Sequence, residues 1–405
     1  MKIIVIIGIN PFFDDYASAN RWRTLLEGLS DLGNEIQILI YRGYNSRDEY
    51  IKMDRKGQIG NIKCEYLNFL FHHTLFLRRL NNYLLSPLTR PLVNRNILKK
   101  VEREPHAIVW TGGDLDSFRL VLKLKRRYPK QKTFLELSEF IDIHHYNKGL
   151  LVHRKVGDKR HSLFESKAFY AYDGLALMTQ TLMKHYERKQ NPGPKLIHLP
   201  MTVDLERFGH ENHAPKEFEK PYMSFVGMMN NNKEGIDILI KAFAKITDEF
   251  PAFKLYLIGP WHYDTPEHQN LIKLLKLEKR IILVGKLKRD EIPAVIKNAT
   301  LLLLPRPDSR QAQGGFPTKL GEYLATGNPV CATSVGELPD YLADGESVYF
   351  AEPGSVDSFA GAIRRALSNP VEARNIGLNG RKVAEMFFNK DVQAKKLNDF
   401  LLNHL

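Results

Sequence analysis

The residues best able to do chemistry lie in one run, Gly314-Gly315-Phe316-Pro317-Thr318-Lys319-Leu320-Gly321-Glu322-Tyr323-Leu324-Ala325-Thr326-Gly327-Asn328-Pro329-Val330. Two glycines let a backbone approach a ligand closely. Pro317 suits the first turn of a helix, Gly327 suits the residue just past its end, and Pro329 prevents continuation. A glycine-containing loop therefore leads into a helix N-terminus. Free N–H groups and the helix dipole make such a terminus an anion site, suited to a diphosphate. Lys319 adds a positive charge in the first turn. Helical side chains lean toward the N-terminus, so Glu322 points back toward the same ligand. A carboxylate there is poorly placed for phosphate and well suited to accept hydrogen bonds from ribose hydroxyls.

These residues need a scaffold, and the sequence describes one. A chain of 405 residues is too long for one ordinary core and suits two α/β domains. Ile3–Ile7 reads as a buried strand, Ala19–Leu32 as an amphipathic helix stopped by Gly33, and Glu35–Tyr41 as a second strand. This is a βαβ opening, and a parallel α/β layer follows from it. Further strands are expected at Ala107–Trp110, Thr133–Leu137, Gly174–Met178 and Lys195–Leu199, with a helix near Thr181–Arg188. Thr202–Pro221 is polar, rich in Pro, His and Glu, and has the composition of a linker. The alternation then restarts. Strands are expected at Tyr222–Val226, Lys254–Ile258, Ile281–Val284, Leu301–Leu304 and Pro329–Ala332. Helices are expected at Gly235–Phe250, Pro266–Leu275, Arg289–Asn298 and Thr318–Ala325, and the chain is mostly helical from Ser355, with Asn389 capping a last helix. The expected division is 1–205, 206–385 and a C-terminal helix, 386–405, packing back on the first domain. Two such units imply a cleft, outside the carboxyl ends of parallel strands, where ligands bind.

Composition narrows the class. Hydrophobic residues make up 43% and charged residues 26%, as in a globular chain. Cys64 and Cys331 lie far apart, without disulfide or zinc-ligand spacing, which fits a reducing, cytoplasmic compartment. His72-His73 and His144-His145 invite a metal reading, but adjacent helical histidines face different ways and no acidic partner has zinc spacing. The apolar run near the start is broken by Asn10 and Pro11, so it reads as a strand and not as a signal segment. No stretch reaches the roughly 18–20 apolar residues that span a bilayer. The net charge of +13 attracts polyanions, phosphorylated substrates and anionic lipid among them. No basic-aromatic nucleic-acid motif accompanies it, and nucleic acid is not an expected partner.

The run Gly-Phe-Pro-Thr-Lys-Leu-x-Glu-Tyr-Leu-Ala-x-Gly-x-Pro-Val resembles the donor-site signature of retaining GT-B glycosyltransferases, family four. Phe225-Val226-Gly227, Lys233-Glu234-Gly235-Ile236-Asp237, Leu257-Ile258-Gly259-Pro260, Val284-Gly285-Lys286 and Gly336-Glu337-Leu338-Pro339-Asp340 are also similar to that family, as is the interdomain Val203-Asp204-Leu205-Glu206-Arg207-Phe208. The resemblance implies a GT-B fold: two Rossmann-like α/β domains facing across a cleft, the N-terminal one for acceptor and the C-terminal one for nucleotide sugar. It implies transfer of a sugar from an NDP-sugar to a glycan or lipid-linked acceptor hydroxyl, with retention, without a metal and with no cofactor beyond the donor. By position, Glu322 holds the ribose; Gly314, Gly315, Phe316, Pro317, Thr318 and Lys319 meet sugar or diphosphate beside Gly227; and Lys233 neutralises the leaving diphosphate. Two departures stand out. Gly314 occupies the place of the family's first glutamate. Met228 and Met229 follow Gly227 where the family often has an arginine, a charge that Arg306 or Arg310 can supply.

In the first domain the turn Gly8-Ile9-Asn10-Pro11 lacks a Gly-x-Gly-x-x-Gly fingerprint, which argues against NAD. Asn20 and Arg21 open the first helix, Gly113 lies in a loop after a strand, and these are acceptor-side candidates. Glu139, after another strand, is a catalytic candidate where the family presents a histidine or aspartate. Residues 69–103 mix leucines and aromatics with seven basic side chains and a single acid, Glu102, the composition of a segment that lies on an anionic membrane, here the inner face of the plasma membrane. Two rivals remain at this stage: a sugar-nucleotide-binding partner of another transferase, which binds without turnover, and a nucleotide-sugar epimerase, which needs an acid/base cluster not evident here.

Overall fold

The computed structural model describes residues 1–14, 17–44, 46–68, 85–142, 151–189, 192–209 and 216–405. It divides into two compact units, Met1–Leu199 with Gln393–Leu405, and Pro200–Val392. The histidine pairs 72–73 and 144–145, and residues 69–84 of the basic segment, lie outside the described residues.

The first unit carries eight strands: β1 Lys2–Ile7, β2 Glu35–Ile40, β3 Lys56–Ile59, β4 Ile62–Tyr66, β5 Ile108–Thr111, β6 Thr133–Leu137, β7 Gly174–Leu177 and β8 Lys195–His198. Their order is β3-β4-β2-β1-β5-β6-β7-β8, parallel throughout except for the antiparallel β3–β4 edge hairpin. Burial on both faces explains the unbroken apolar runs, because helices cover a parallel sheet on each side. On one face Ile3, Val5, Leu25, Trp110 and Phe134 pack with Leu397, Phe400 and Leu401 of the C-terminal segment. The β3–β4 hairpin, absent from the expected strands, has a two-residue Gly60-Asn61 turn with Gly60 at φ +56°.

The second unit has six strands: β9 Tyr222–Val226, β10 Lys254–Ile258, β11 Ile281–Gly285, β12 Leu301–Leu304, β13 Val330–Thr333 and β14 Tyr349–Ala351. All pair in parallel, in the order β11-β10-β9-β12-β13-β14. The order reverses between β9 and β12, and the crevice at such a switch point is where doubly wound sheets take ligands. Helices Ile236–Ala244 and Val356–Ser368 close one face through Leu239, Phe243, Phe359 and Ile363.

Two expected helices are shorter in the structure. The one expected over Gly235–Phe250 spans Ile236–Ala244. Gly235 is left-handed at φ +68°, outside the helix, and Lys245 N already reaches Ala242 O at 3.2 Å, so the last turn tightens and ends. The one expected from Arg289 begins at Ile292, because Lys288 N donates to Glu291 Oε2 at 2.7 Å and closes a turn first. Asn389 does cap the last helix, Lys390–His404, accepting from Asp391 N at 3.0 Å. Residues 200–205 and 386–392 belong to the second unit: Val203 N donates to Phe388 O at 2.7 Å, and Lys390 N to Val203 O at 3.0 Å.

Candidate functional site

The helix after β12 spans Thr318–Ala325. Pro317 stands at its N-cap with no side-chain hydrogen bond to the first turn, and Gly327 ends it at φ +74°. Leu320 N donates to Pro317 O at 2.9 Å, and the N–H groups of Thr318 and Lys319 at the start of the helix are left for water or a ligand. Gly314 closes a short helix, Arg310–Gly314, and Gly315 is extended at φ −113°, a conformation open to any residue. Phe316 is buried, its ring 5.2 Å from Phe388 and 5.9 Å from Tyr341, so only its backbone is available to a ligand.

Lys319 is held more tightly than a first-turn lysine need be. Its Nζ donates to Glu234 Oε2 at 2.5 Å and lies 4.5 Å from the centre of the Phe225 ring. Glu234 belongs to the short helix Asn231–Glu234 after β9, which Asn230 caps by accepting from Lys233 N at 3.0 Å. Burial pushes the Lys319 ammonium down to about 8, against the pull of Glu234, with Arg306 and Lys233 pushing the same way as burial. The charges of Arg306 and Lys233 therefore act on Lys319, whose ammonium is bonded to Glu234, at the carboxyl ends of β9 and β12. Arg306 is 2% exposed, and its Nε has no hydrogen-bond partner among the described residues. A buried, partly unsatisfied guanidinium in a cationic crevice suits an anionic ligand.

Three glycines make room for this arrangement. A Cβ on Gly227 would stand 2.2 Å from Lys319 Nζ, one on Gly259 1.7 Å from Gly227 O, and one on Gly235 2.0 Å from Pro305 O. Gly227 thus lets Lys319 cross the end of β9. Tyr323 ties the helix to the same place, its hydroxyl accepting from Val226 N at 2.7 Å.

Glu322, one turn along the helix, is bound by a residue that the sequence reading does not single out. Arg207 Nη1 donates to Glu322 Oε1 at 2.7 Å, and Nη2 to Arg289 O at 3.1 Å. Glu234 and Arg207 both lie in motifs quoted above, but their pairings span 85 and 115 residues. No local spacing could have revealed them.

In the first unit Arg21 is taken up by structure. It is 3% exposed, donating from Nε to Glu136 Oε1 at 2.5 Å and from Nη2 to Leu199 O at 2.6 Å. Neighbouring Asn20 is half-buried and accepts from Arg23 Nη1 at 3.4 Å. Gly113 precedes Asp114, which caps helix Leu115–Arg127 and also accepts from the Tyr41 hydroxyl. Glu139 is half-buried, and its charge, like that of Asp114, acts on Arg160, whose guanidinium burial pushes down. The charges of Glu139 and of Asp114, the residue after Gly113, therefore act on one arginine, while Arg21 and Asn20 face other partners.

Residues 220–369 match the family described as glycosyl transferases group 1. N-acetyl-alpha-D-glucosaminyl L-malate synthase of Bacillus anthracis is 30% identical over 161 residues, covering 39% of each chain. MMP alpha-(1->4)-mannosyltransferase of Mycolicibacterium hassiacum is 28% identical over 206 residues, covering 50% of this chain and 47% of its own. The matches thus span about two-fifths to half the length of these relatives. Among solved structures, sucrose-phosphate synthase from Thermosynechococcus elongatus superposes with a TM-score of 0.75 at 16% identity, covering 99% of this chain and 98% of that one. Anabaena Alr3699/HepE in complex with UDP has a TM-score of 0.69 at 13% identity, covering 99% of both. Residues 220–369 are thus similar to the group 1 glycosyl transferases, and the two parallel-sheet units have the GT-B fold of these solved structures.

Proposed function

We propose that the protein is a glycosyltransferase that moves a sugar from a nucleotide sugar to a glycan or lipid-linked acceptor hydroxyl, with retention and without a metal. The observation that carries this reading is the buried Lys319–Glu234 pair with the charges of Arg306 and Lys233 acting on Lys319, and Glu322 one turn further along the same helix. Such a site neutralises a diphosphate and leaves Glu322 for the ribose. The UDP bound to the similar HepE structure supports a nucleotide donor. In the proposed reaction the bond from the anomeric carbon to the diphosphate oxygen breaks. The acceptor oxygen attacks from the same face and its proton passes to the departing phosphate. Fixed cations stabilise the leaving charge without reorganising, the work that a metal does in other transferases. Glu139, Asn20, Arg21 and Gly113 remain the acceptor-side proposals, Arg21 through its hold on Glu136.

A lipid-linked acceptor fits the helix Ser86–Glu102. It exposes Leu88 and Leu92 at 74% and 69%, beside Arg90, Arg95 and Lys99, as a segment seated on an anionic membrane would. No helix among the described residues is long and apolar enough to cross a membrane. The test is turnover with UDP-, GDP- and ADP-sugars, simple and lipid-linked acceptors, and Glu322→Ala beside the wild type. Acceptor-dependent nucleotide release that collapses in the variant supports the transferase and names its donor. Saturable binding with no turnover across the acceptors would favour a binding partner instead, and no donor binding at all would sink the reading.

A further inference from the structure

The segment that opens the second unit crosses the helix carrying Glu322. A Cβ on Gly321 would stand 2.2 Å from Met201 Cε and 3.3 Å from Val203 Cβ, so the segment crosses the helix closely beside Glu322. The segment is pinned at the crossing and beyond it. Val203 is bonded to Phe388 and Lys390, Asp204 pairs with Lys390 Nζ at 3.4 Å and caps the turn Leu205–Phe208, and Lys297 Nζ donates to the Phe208 carbonyl at 3.1 Å. Phe208 is fully buried. Arg207 is thereby delivered to Glu322 on a fixed backbone, with its second nitrogen held by the Arg289 carbonyl.

We infer that Arg207 is a positioning residue that makes Glu322 selective for a ribose. This inference rests on the donor reading of Glu322 given above. The ion pair is 15% and 19% exposed, so both side chains are largely shielded while Glu322 stays reachable. Arg207 takes Oε1 and, among the described residues, Oε2 accepts no hydrogen bond. A carboxylate offers about four lone-pair sites, so one arginine contact leaves room for hydroxyl donors. Fixing Oε1 sets the plane in which Oε2 meets them. A mobile carboxylate would lose part of each such bond to ordering of its own side chain. Arg207 thus acts on the sugar moiety of the nucleotide through Glu322, while the cations around Lys319 hold the phosphates.

The test separates these two halves. Binding of pyrophosphate, of UDP, GDP and ADP, and of their 2′-deoxy and 3′-deoxy counterparts is measured by calorimetry on the full chain. The proteins are the wild type, Arg207→Met, Arg207→Lys, Glu322→Gln and the Arg207→Met, Glu322→Gln pair. For the nucleotide that binds, the wild type should prefer the ribose form by about tenfold or more, the value of a hydrogen bond to a charged group. Arg207→Met should lose most of that preference and bind pyrophosphate as the wild type does. Arg207→Lys, which keeps a cation at Glu322, should restore part of it, and the double variant should lose no more than Glu322→Gln alone. An unchanged ribose preference in Arg207→Met overturns the inference, as does an equal weakening of pyrophosphate, which would mark a general structural role. If Arg207→Met does not fold, Arg207→Lys decides, and a ribose preference there equal to that of the wild type overturns the inference. A Glu322→Gln protein that keeps its ribose preference would instead refute the donor reading of Glu322.

Discussion

Replacing Lys319 by methionine keeps an unbranched side chain and removes its ammonium. Glu234, with a side chain 7% exposed, then loses the partner bonded to it. Breaking one side of a buried ion pair costs about 3–5 kcal/mol, because the surviving charge stays desolvated. Arg306 is close enough for its charge to act on Lys319, so Glu234 has a second cation to turn toward. The expected loss is therefore at the low end, about 3 kcal/mol. Adding Glu234→Gln removes the stranded charge and should return stability to within about 1 kcal/mol of the wild type. Hydrogen exchange of peptides covering β9 and β12 reads this loss in the second unit alone. Pyrophosphate binding gives an independent readout with a pH signature. Burial holds the Lys319 ammonium at about 8, and the proposed diphosphate site needs the charged form. Wild-type affinity should therefore be level below pH 8 and about tenfold weaker at pH 9, a step missing from Lys319→Met. Stability moves the other way. The folded value of about 8 lies below the ordinary 10.5, so the unfolded chain binds more protons between them. The wild type should gain stability relative to Lys319→Met as pH rises through that window. A Lys319→Met protein with wild-type exchange, or a double variant no better protected than the single, would refute the reasoning.

Other perturbations discriminate between space for a ligand cation and space for backbone. Gly227→Ala places a Cβ against the far ends of Lys319 and Phe225, so the protein should fold, with pyrophosphate affinity reduced about tenfold in calorimetry as Lys319 is displaced. Gly259→Ala meets a carbonyl at 1.7 Å with φ at +155°, and urea unfolding should show a loss above about 3 kcal/mol. Arg21→Met strands Glu136 in the first unit, which should lose about 3–5 kcal/mol by hydrogen exchange of β6, with nucleotide affinity unchanged. Leu88→Glu with Leu92→Glu should release the protein from vesicles containing anionic lipid in a flotation assay while leaving nucleotide affinity intact, and unchanged flotation would remove the membrane proposal.

The sequence by itself determined the alternation of buried strands and helices in both units. Strands such as Thr133–Leu137, Tyr222–Val226 and Leu301–Leu304 are short apolar runs bounded by polar or turn residues, and a parallel sheet buries both of their faces. It also determined the helix Thr318–Ala325, because Pro317 and Gly327 act locally on backbone angles. The β3–β4 hairpin was not among the expected strands, although its signal is local, Gly60-Asn61 between Ile59 and an Ile62, Cys64, Tyr66 alternation. Tertiary structure alone decided what the charged side chains do. Lys319 reads as a first-turn cation and proves to be half of a buried pair with Glu234, while Arg21 reads as an open polar group and is bound to Glu136 and Leu199. Glu322 reads as a lone carboxylate and is held by Arg207. The physical reason is range. Turn, cap and strand preferences are set within a few residues, whereas an ion pair depends on which loops the strand order brings side by side, and that order joins β9 to β12 across the intervening strands.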